Sequence, residues 1–218
     1  MKQEFIFIGP PGSGKGTQTK MLSKELSLPH VDTGALLREE IASGSDNGKL
    51  ANSFMEKGQL VPITLVSKII RNRLIKDDCK NGFILDGYPR SLEQAYALDE
   101  ILEEIDANTD TKPTVFYFDV AQEKLVERLV NRRSCSDCGA IYNLKTMQLE
   151  DETKCPKCNG TLTRRDDDTE EVANKRFATY FAQTAPLIDL YKNRNALVTL
   201  DASLDIDSIY KNLKGAIK

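Results

Sequence analysis

Two short stretches carry most of the chemistry that residue type and spacing can announce. The first is "GPPGSGKGT" (Gly9–Thr17), which follows an apolar run and opens a helical pattern, the context of a phosphate-binding loop. Its glycines admit backbone conformations closed to other residues, so successive N–H groups can point at one anion. The helix that follows adds its positive N-terminal end, and Lys15 adds a mobile full charge for the β and γ phosphates. The usual pattern has Ser or Thr directly after the lysine; here Gly16 stands there and Thr17 follows. A hydroxyl for a phosphate or a metal-bound water is therefore one residue further on. The second stretch, "CSDCGAIYNLKTMQLEDETKCPKC", sets Cys135/Cys138 and Cys155/Cys158 sixteen residues apart. Paired thiols at this spacing suit a tetrahedral Zn2+ with no open position, a structural metal, with iron as the other ion four sulfurs accept. Cys79, alone in "DDCKNG", reads as structural or incidental.

Cations that could neutralise a moving phosphoryl group recur at core edges. Arg90 ends "LDGYPR". Arg128 and Arg132 lie four residues apart, bordering the Leu125/Leu129 stripe of one helix. Arg164 and Arg165 close the cysteine segment, and Arg176 borders the apolar edge of the next helix, whereas Arg133 and Lys175 read as surface charges. Asp86 ends an apolar strand, where a carboxylate either organises Mg2+ or caps a turn. His30 reads as a structural residue at a strand end.

The elements that must hold these groups alternate. Runs rich in β-branched and aromatic residues at Glu4–Gly9, His30–Asp32, Phe83–Asp86, Thr114–Asp119 and Ala196–Asp201 read as strands. Helical spacing follows the phosphate loop (Met21, Leu22, Leu26), recurs at Leu125/Leu129 and Val126/Val130, and again at Phe177/Phe181. Strands alternating with helices give right-handed βαβ units, hence an α/β protein with a five-stranded parallel sheet flanked by helices, of the phosphate-loop NTPase type. The nearly continuous apolar character of "FIFIG" and "TVFYFD" suits strands buried on both faces. Ligands of such sheets bind beyond the carboxyl ends of the strands, where the glycine loop and the strand-end aspartates fall. Residues 32–61 read as an insertion of short helices and turns, and 131–167 as a polar, loop-like insertion holding the cysteines.

Composition narrows the function classes. The chain has 218 residues, 40% hydrophobic and 29% charged, enough for one domain with insertions and a real core. A net charge of −3 gives no global basic field for nucleic acid or an anionic membrane. No apolar run approaches the roughly 18 residues of a membrane span. "MKQEFIFIGPPG" runs directly into the glycine loop and is not read as a signal peptide, so the thiols are expected in a reducing, cytoplasmic setting.

Taken in order, "GPPGSGKGT", "TGALLR" (Thr33–Arg38), "GQLVP" (Gly58–Pro62), "GFILDGYPRSLEQA" (Gly82–Ala95) and "LTRRDDD" (Leu162–Asp168) resemble the motifs of adenylate kinases over essentially the whole chain. The cysteine pairs resemble the zinc-bearing lid of many bacterial members. The resemblance implies a core of residues 1–31, 62–130 and 168–218, an AMP-binding insertion at 32–61 and a zinc-binding lid at 131–167. It implies ATP contacts from Gly12, Ser13, Gly14, Lys15, Gly16, Thr17, Arg128, Arg132, Ile141, Tyr142 and, through its backbone, Leu204. AMP would meet Thr33, Arg38, Gln59, Leu60, Val61, Gly87, Tyr88, Pro89, Arg90 and Gln94, with Arg164 and Arg176 bridging donor and acceptor phosphates. The catalytic cations would be Lys15, Arg90, Arg132, Arg164 and Arg176, and Asp86 with Thr17 would organise Mg2+. Aligning Arg176 this way requires one extra residue in "DDDTEEV". The chain departs from the family at Ala35 and Ile63, where acidic residues are usual, and at Asp201-Ala202, where Asp-Gly is usual.

The implied reaction is reversible, Mg-dependent transfer of the ATP γ-phosphate to AMP, giving ADP, in a monomer with no nucleic-acid or membrane partner. Phosphoryl transfer needs water excluded, so a lid must close over the phosphates. A polar segment this short has little core of its own, which gives structural Zn2+ its purpose. Gln94 suits an adenine edge, since an amide both donates and accepts. The alternatives are a UMP/CMP kinase and a GTP:AMP phosphotransferase. A GTPase-like switch would need an Asn/Thr-Lys-x-Asp base-reading sequence, which is not found in this chain. A zinc-ribbon module binding nucleic acid needs a basic, aromatic surface, whereas the knuckle carries "QLEDETK" and Tyr142 alone.

Overall fold

The computed structural model describes residues 2–106, 112–165 and 167–217. Asp166, in the "LTRRDDD" motif, lies outside the described residues. Five parallel strands form the central sheet: β1 (Gln3–Ile8), β2 (His30–Asp32), β3 (Gly82–Asp86), β4 (Thr114–Asp119) and β8 (Leu197–Asp201), in the order β2-β3-β1-β4-β8. This is the expected α/β sheet, with ends shifted by a residue. β1 sits at its centre because alternate side chains serve two cores. Ile6 and Ile8 pack with α4 (Ile63–Leu74), α5 (Leu92–Ile105) and α8 (Pro186–Asn193), while Phe5 and Phe7 pack with α1 (Lys15–Leu26) and α9 (Ile206–Gly215). A strand covered on both faces has no polar side to show, which is why its sequence reads as one apolar run.

The 32–61 insertion is α2 (Thr33–Ala42) and α3 (Asp46–Met55), whose Leu37 and Ala51, with Val61, form a small cluster against Leu65 of α4. Asp32 both ends β2 and caps α2, accepting from the Ala35 N–H at 3.0 Å. The 131–167 insertion is more ordered than its sequence suggests. It holds a three-stranded antiparallel sheet, β6-β5-β7, of β5 (Arg132–Cys135), β6 (Ile141–Asn143) and β7 (Leu162–Thr163). Its core is little more than Cys135, Cys155 and Leu162 with Ala140, Tyr142 and Leu149 at the edge.

α6 (Glu123–Val130) carries the chain into that insertion, burying Leu125 and Leu129 against Ala173 and Phe177 of α7 (Glu170–Thr179). A wider π turn, Tyr180–Thr184, joins α7 to α8. It changes the inward face, so Tyr180 and Thr184 are buried while Phe181, expected to share the Phe177 stripe, is 50% exposed. Such turns favour functional sites, and this one ties two distant segments. Thr179 Oγ1 donates to the Gly58 carbonyl at 3.0 Å and Thr184 Oγ1 to the Arg90 carbonyl at 2.8 Å.

Candidate active site

A cavity of about 570 Å³ lies beyond the carboxyl ends of the strands, between the two insertions. The phosphate loop forms its floor. Gly12 has φ 81°, and a Cβ there would stand 3.1 Å from the Leu125 carbonyl oxygen and Leu129 Cγ, so the loop lies directly against α6. Lys15 Nζ donates to the Gly9 and Pro10 carbonyls at 2.7 and 3.0 Å, holding the ammonium inside the curl of the loop. Burial, reinforced by the charges of Arg90, Arg176 and Arg132 against the opposing pull of Asp86, lowers the lysine to about 8.

That value has a sign that can be tested. In the free protein Lys15 is charged below pH about 8 and loses that charge as pH rises through about 8. Bound phosphates favour the ammonium, so they move the loss to higher pH. The kcat/KM for ATP, which reports the free enzyme, is expected to fall above pH about 8, while kcat holds to higher pH. A pH series of initial rates checks this, and coincident limbs contradict it.

Around the loop stand Arg38, Arg90, Arg132, Arg165 and Arg176. Arg90 is fixed at three points. Its N–H donates to Gln94 Oε1 at 2.8 Å, its Nε to the Gly87 carbonyl at 2.7 Å, and its carbonyl accepts from Thr184. Gly87 permits this fold-back: φ is 80°, and a Cβ would stand 2.8 Å from an Arg90 guanidinium nitrogen. Among the described residues, Lys15, Arg90 and Arg165 form no ion pair with a carboxylate. Arg132 and Arg176 are engaged. Arg132 grips Asp168 with two bonds, one at 2.8 Å, and Arg176 holds Asp167 at 2.8 Å and Asp168 at 3.4 Å. Burial lowers Arg90 and Arg176, and burial together with the charges of Arg132 and Arg38 brings Arg165 down to about 10. Converging cations that destabilise one another form a site whose missing complement is anionic.

Asp86 faces this cluster from the end of β3. Its Oδ2 accepts from Thr19 Oγ1 at 3.2 Å, stands 3.4 Å from His30 Nε2, and would lie 3.5 Å from a Cβ on Gly16. Burial opposes its ionisation, but His30, Lys15 and Arg90 outweigh that and hold the carboxylate below its usual range. His30 supports Asp86 and Thr19, the structural role its position suggested.

The lid lies over the loop. Lys20 of α1 donates to the Gly139 carbonyl, and Ile141 Cδ1 would be 3.5 Å from a Cβ on Gly16. Beyond it the Sγ atoms of Cys135, Cys138, Cys155 and Cys158 all lie within 4.8 Å of one another, with pairs at 3.4 and 3.7 Å. A tetrahedral ion with Zn–S bonds of about 2.3 Å sets S···S edges of about 3.8 Å, so the four sulfurs fit a zinc site with all positions filled by protein.

The family model described as Adenylate kinase matches residues 7–196, a span that holds the glycine loop, the cation cluster and the cysteines. The chain belongs to the adenylate kinase family. It is 46% identical to the adenylate kinase of Thermosipho africanus over 98% of this chain and 99% of that protein. The adenylate kinases of Clostridium tetani and Archaeoglobus fulgidus are each 43% identical over 98% of this chain and 97% of theirs.

Most residues that the adenylate kinase resemblance points to line the one cavity. Gly12 to Thr17, Arg128, Arg132, Ile141, Tyr142 and Leu204 do so on one side, and Thr33, Arg38, Leu60, Val61, Gly87, Pro89, Arg90 and Gln94 on the other, with Asp86 and Arg176 between. Three do not. Gln59 is exposed, and Tyr88 is 0% exposed with its hydroxyl 2.8 Å from Ser67 Oγ, so its side chain belongs to the core. Arg164 is exposed and outside the lining, whereas Arg165 lines it and bonds Ser134 Oγ at 3.2 Å. Of the two, Arg165 is the one that faces the cavity. It stands eleven residues before Arg176, and placing it there removes the need for an extra residue in "DDDTEEV".

Asp167 and Asp168 had no role assigned from sequence. They are internal counterions, and the signal was available: an acidic run next to two arginines and one helix start from a third. Among the described residues no helix is long and apolar enough to cross a membrane.

Proposed function

We propose that this protein catalyses reversible, Mg-dependent transfer of the ATP γ-phosphoryl group to AMP, giving two molecules of ADP. The observation that carries the proposal is the convergence of Lys15, Arg90, Arg165 and Arg176 on one cavity of about 570 Å³. Gly12 to Thr17 and Lys15 hold the donor phosphates, with Arg128, Arg132, Ile141, Tyr142 and the Leu204 backbone on the donor side. Thr33, Arg38, Leu60, Val61, Gly87, Pro89 and Gln94 hold the acceptor. Gln94 Oε1 is occupied by the Arg90 N–H, which leaves its amide nitrogen to donate to an acceptor on the base edge. Adenine offers one beside its amino group.

An AMP phosphate oxygen attacks the γ-phosphorus, the bond to the β-phosphate oxygen breaks, and ADP leaves from both sides. The AMP phosphate is already an anion at neutral pH, so no general base is required. Charge spreads over the transferring oxygens, and Lys15, Arg90, Arg165 and Arg176 stabilise it without reorganising. Mg2+ supplies further neutralisation at the phosphate oxygens when bound, and Asp86 with the Thr17 hydroxyl are the groups placed to hold its water.

The chain divides accordingly into a core (1–31, 62–130, 168–218), an acceptor insertion (32–61) that packs on α4 of the core, and a metal-braced lid (131–167) with its own small cluster. Both subsites lie within one chain, so catalysis needs no second subunit, and a cytoplasmic monomer suits it. The lid holds its shape through the metal. Removing zinc with a strong chelator is expected to melt the lid and lower turnover while the helical signal of the core persists, as followed by circular dichroism and rate together; unchanged turnover after complete metal loss contradicts this. The proposal as a whole is tested by mixing the protein with Mg-ATP and, separately, AMP, GMP, CMP or UMP, and separating the products. ADP from AMP alone supports it, transfer to CMP or UMP favours a pyrimidine acceptor, and no transfer overturns it.

A further inference from the structure

The cysteine knuckle and the nucleotide cavity share one residue. Tyr142, the middle residue of β6, lines the cavity, and its hydroxyl stands 3.2 Å from Cys155 Sγ. Its ring packs at the edge of the lid's small apolar cluster with Cys135, Cys155, Leu149 and Leu162. A metal-bound cysteine sulfur has no proton to give, so in the metal-bound state the phenol donates and the sulfur accepts. Among the described residues it is the only side-chain hydroxyl bonded to any of the four sulfurs, whose other side-chain partners are each other. β6 is three residues long and pairs with β5 through Arg133↔Tyr142, so strand pairing alone is a weak hold on the ring.

We propose that Tyr142 is a positioning residue coupling the two sites: its hydroxyl orients the Cys155 thiolate for the metal, and the metal in turn fixes Tyr142, which lines the donor side of the cavity. This rests on reading the knuckle as a metal site and the cavity as a nucleotide site. Groups that orient a metal's ligands typically change its affinity by about 10–100-fold. Linkage then runs both ways, so a nucleotide that holds the ring in place tightens the metal by the same factor as the metal tightens the nucleotide.

Tyr142→Phe keeps the ring and removes only the donor. Zinc transfer from the loaded protein to a chromophoric chelator is measured with and without ATP, AMP being absent, and the sulfur-to-metal absorption band is recorded after cobalt substitution. Zinc affinity is expected to fall about tenfold, the cobalt band to shift, and ATP to slow zinc loss less in the variant than in the wild type. Leu149→Ala thins the same cluster without touching a sulfur and is expected to leave the cobalt band in place. A Phe variant with unchanged affinity and band, or a Leu149→Ala variant that shifts the band equally, overturns the coupling. Wild-type protein that takes up no zinc, or binds no ATP, removes the reading of the sites themselves. Wild type that binds both, with a Phe variant indistinguishable from it, removes the coupling alone.

Discussion

Arg90→Ala is expected to lower kcat by about 10³-fold, in the range found when a cation is removed from a phosphoryl-transfer transition state. The side chain sits in the cavity with no carboxylate partner among the described residues and donates from Nε to the Gly87 carbonyl, while Gln94 and Thr184 hold the Arg90 backbone N–H and carbonyl. A fixed backbone and one bond at Nε place the guanidinium before charge develops. The fold should not suffer. Burial already penalises the Arg90 charge, so its removal relieves a desolvation cost instead of breaking an ion pair. Rates under saturating substrates and a thermal melt of the same sample separate the two effects. Near-normal turnover contradicts the role, and a collapsed melt contradicts the account of its burial.

The second large effect distinguishes neighbours. Arg165→Ala is expected to lose about 10²–10³-fold in kcat/KM, and Arg164→Ala to stay within about twofold. Arg165 lines the cavity and is brought down to about 10 by burial and by Arg132 and Arg38, while Arg164 is exposed. Arg165→Lys should recover only part of the loss, because a single ammonium cannot span two phosphate oxygens as a guanidinium does. Equal losses at both positions, measured from initial rates with ATP varied, would contradict the assignment.

The choice between Arg164 and Arg165 shows where sequence information ran short. The Leu125/Leu129 stripe announces its inward face because a helix repeats every 3.6 residues, and both residues are buried as expected. Arg164 and Arg165 follow a two-residue strand in a lid with almost no core, so no periodicity says which of them turns inward. Motif order alone is blind to one residue. The same shortage hid the lid's three strands. Segments of two to four residues cannot display alternation, and the sulfurs supply the order that apolar side chains supply elsewhere. The phosphate loop and the cysteine spacing were legible because each satisfies a local geometric demand. Tyr88 sits between Gly87 and Pro89, which line the cavity, while its own side chain turns to Ser67, a divergence that motif order does not display. Asp167 and Asp168 were passed over because a run of acids reads as solvated surface until the arginines they hold are seen beside them.

The most direct test of the central claim follows the γ-phosphate itself. Protein, Mg2+ and ATP labelled at the γ-phosphate are mixed with AMP, and the label is traced among ADP, ATP and inorganic phosphate. Direct transfer in a closed, cation-lined cavity predicts label in the β position of ADP formed from AMP, with negligible label in inorganic phosphate whether or not AMP is present. Label released chiefly as inorganic phosphate, or left on ATP while AMP is untouched, would contradict it.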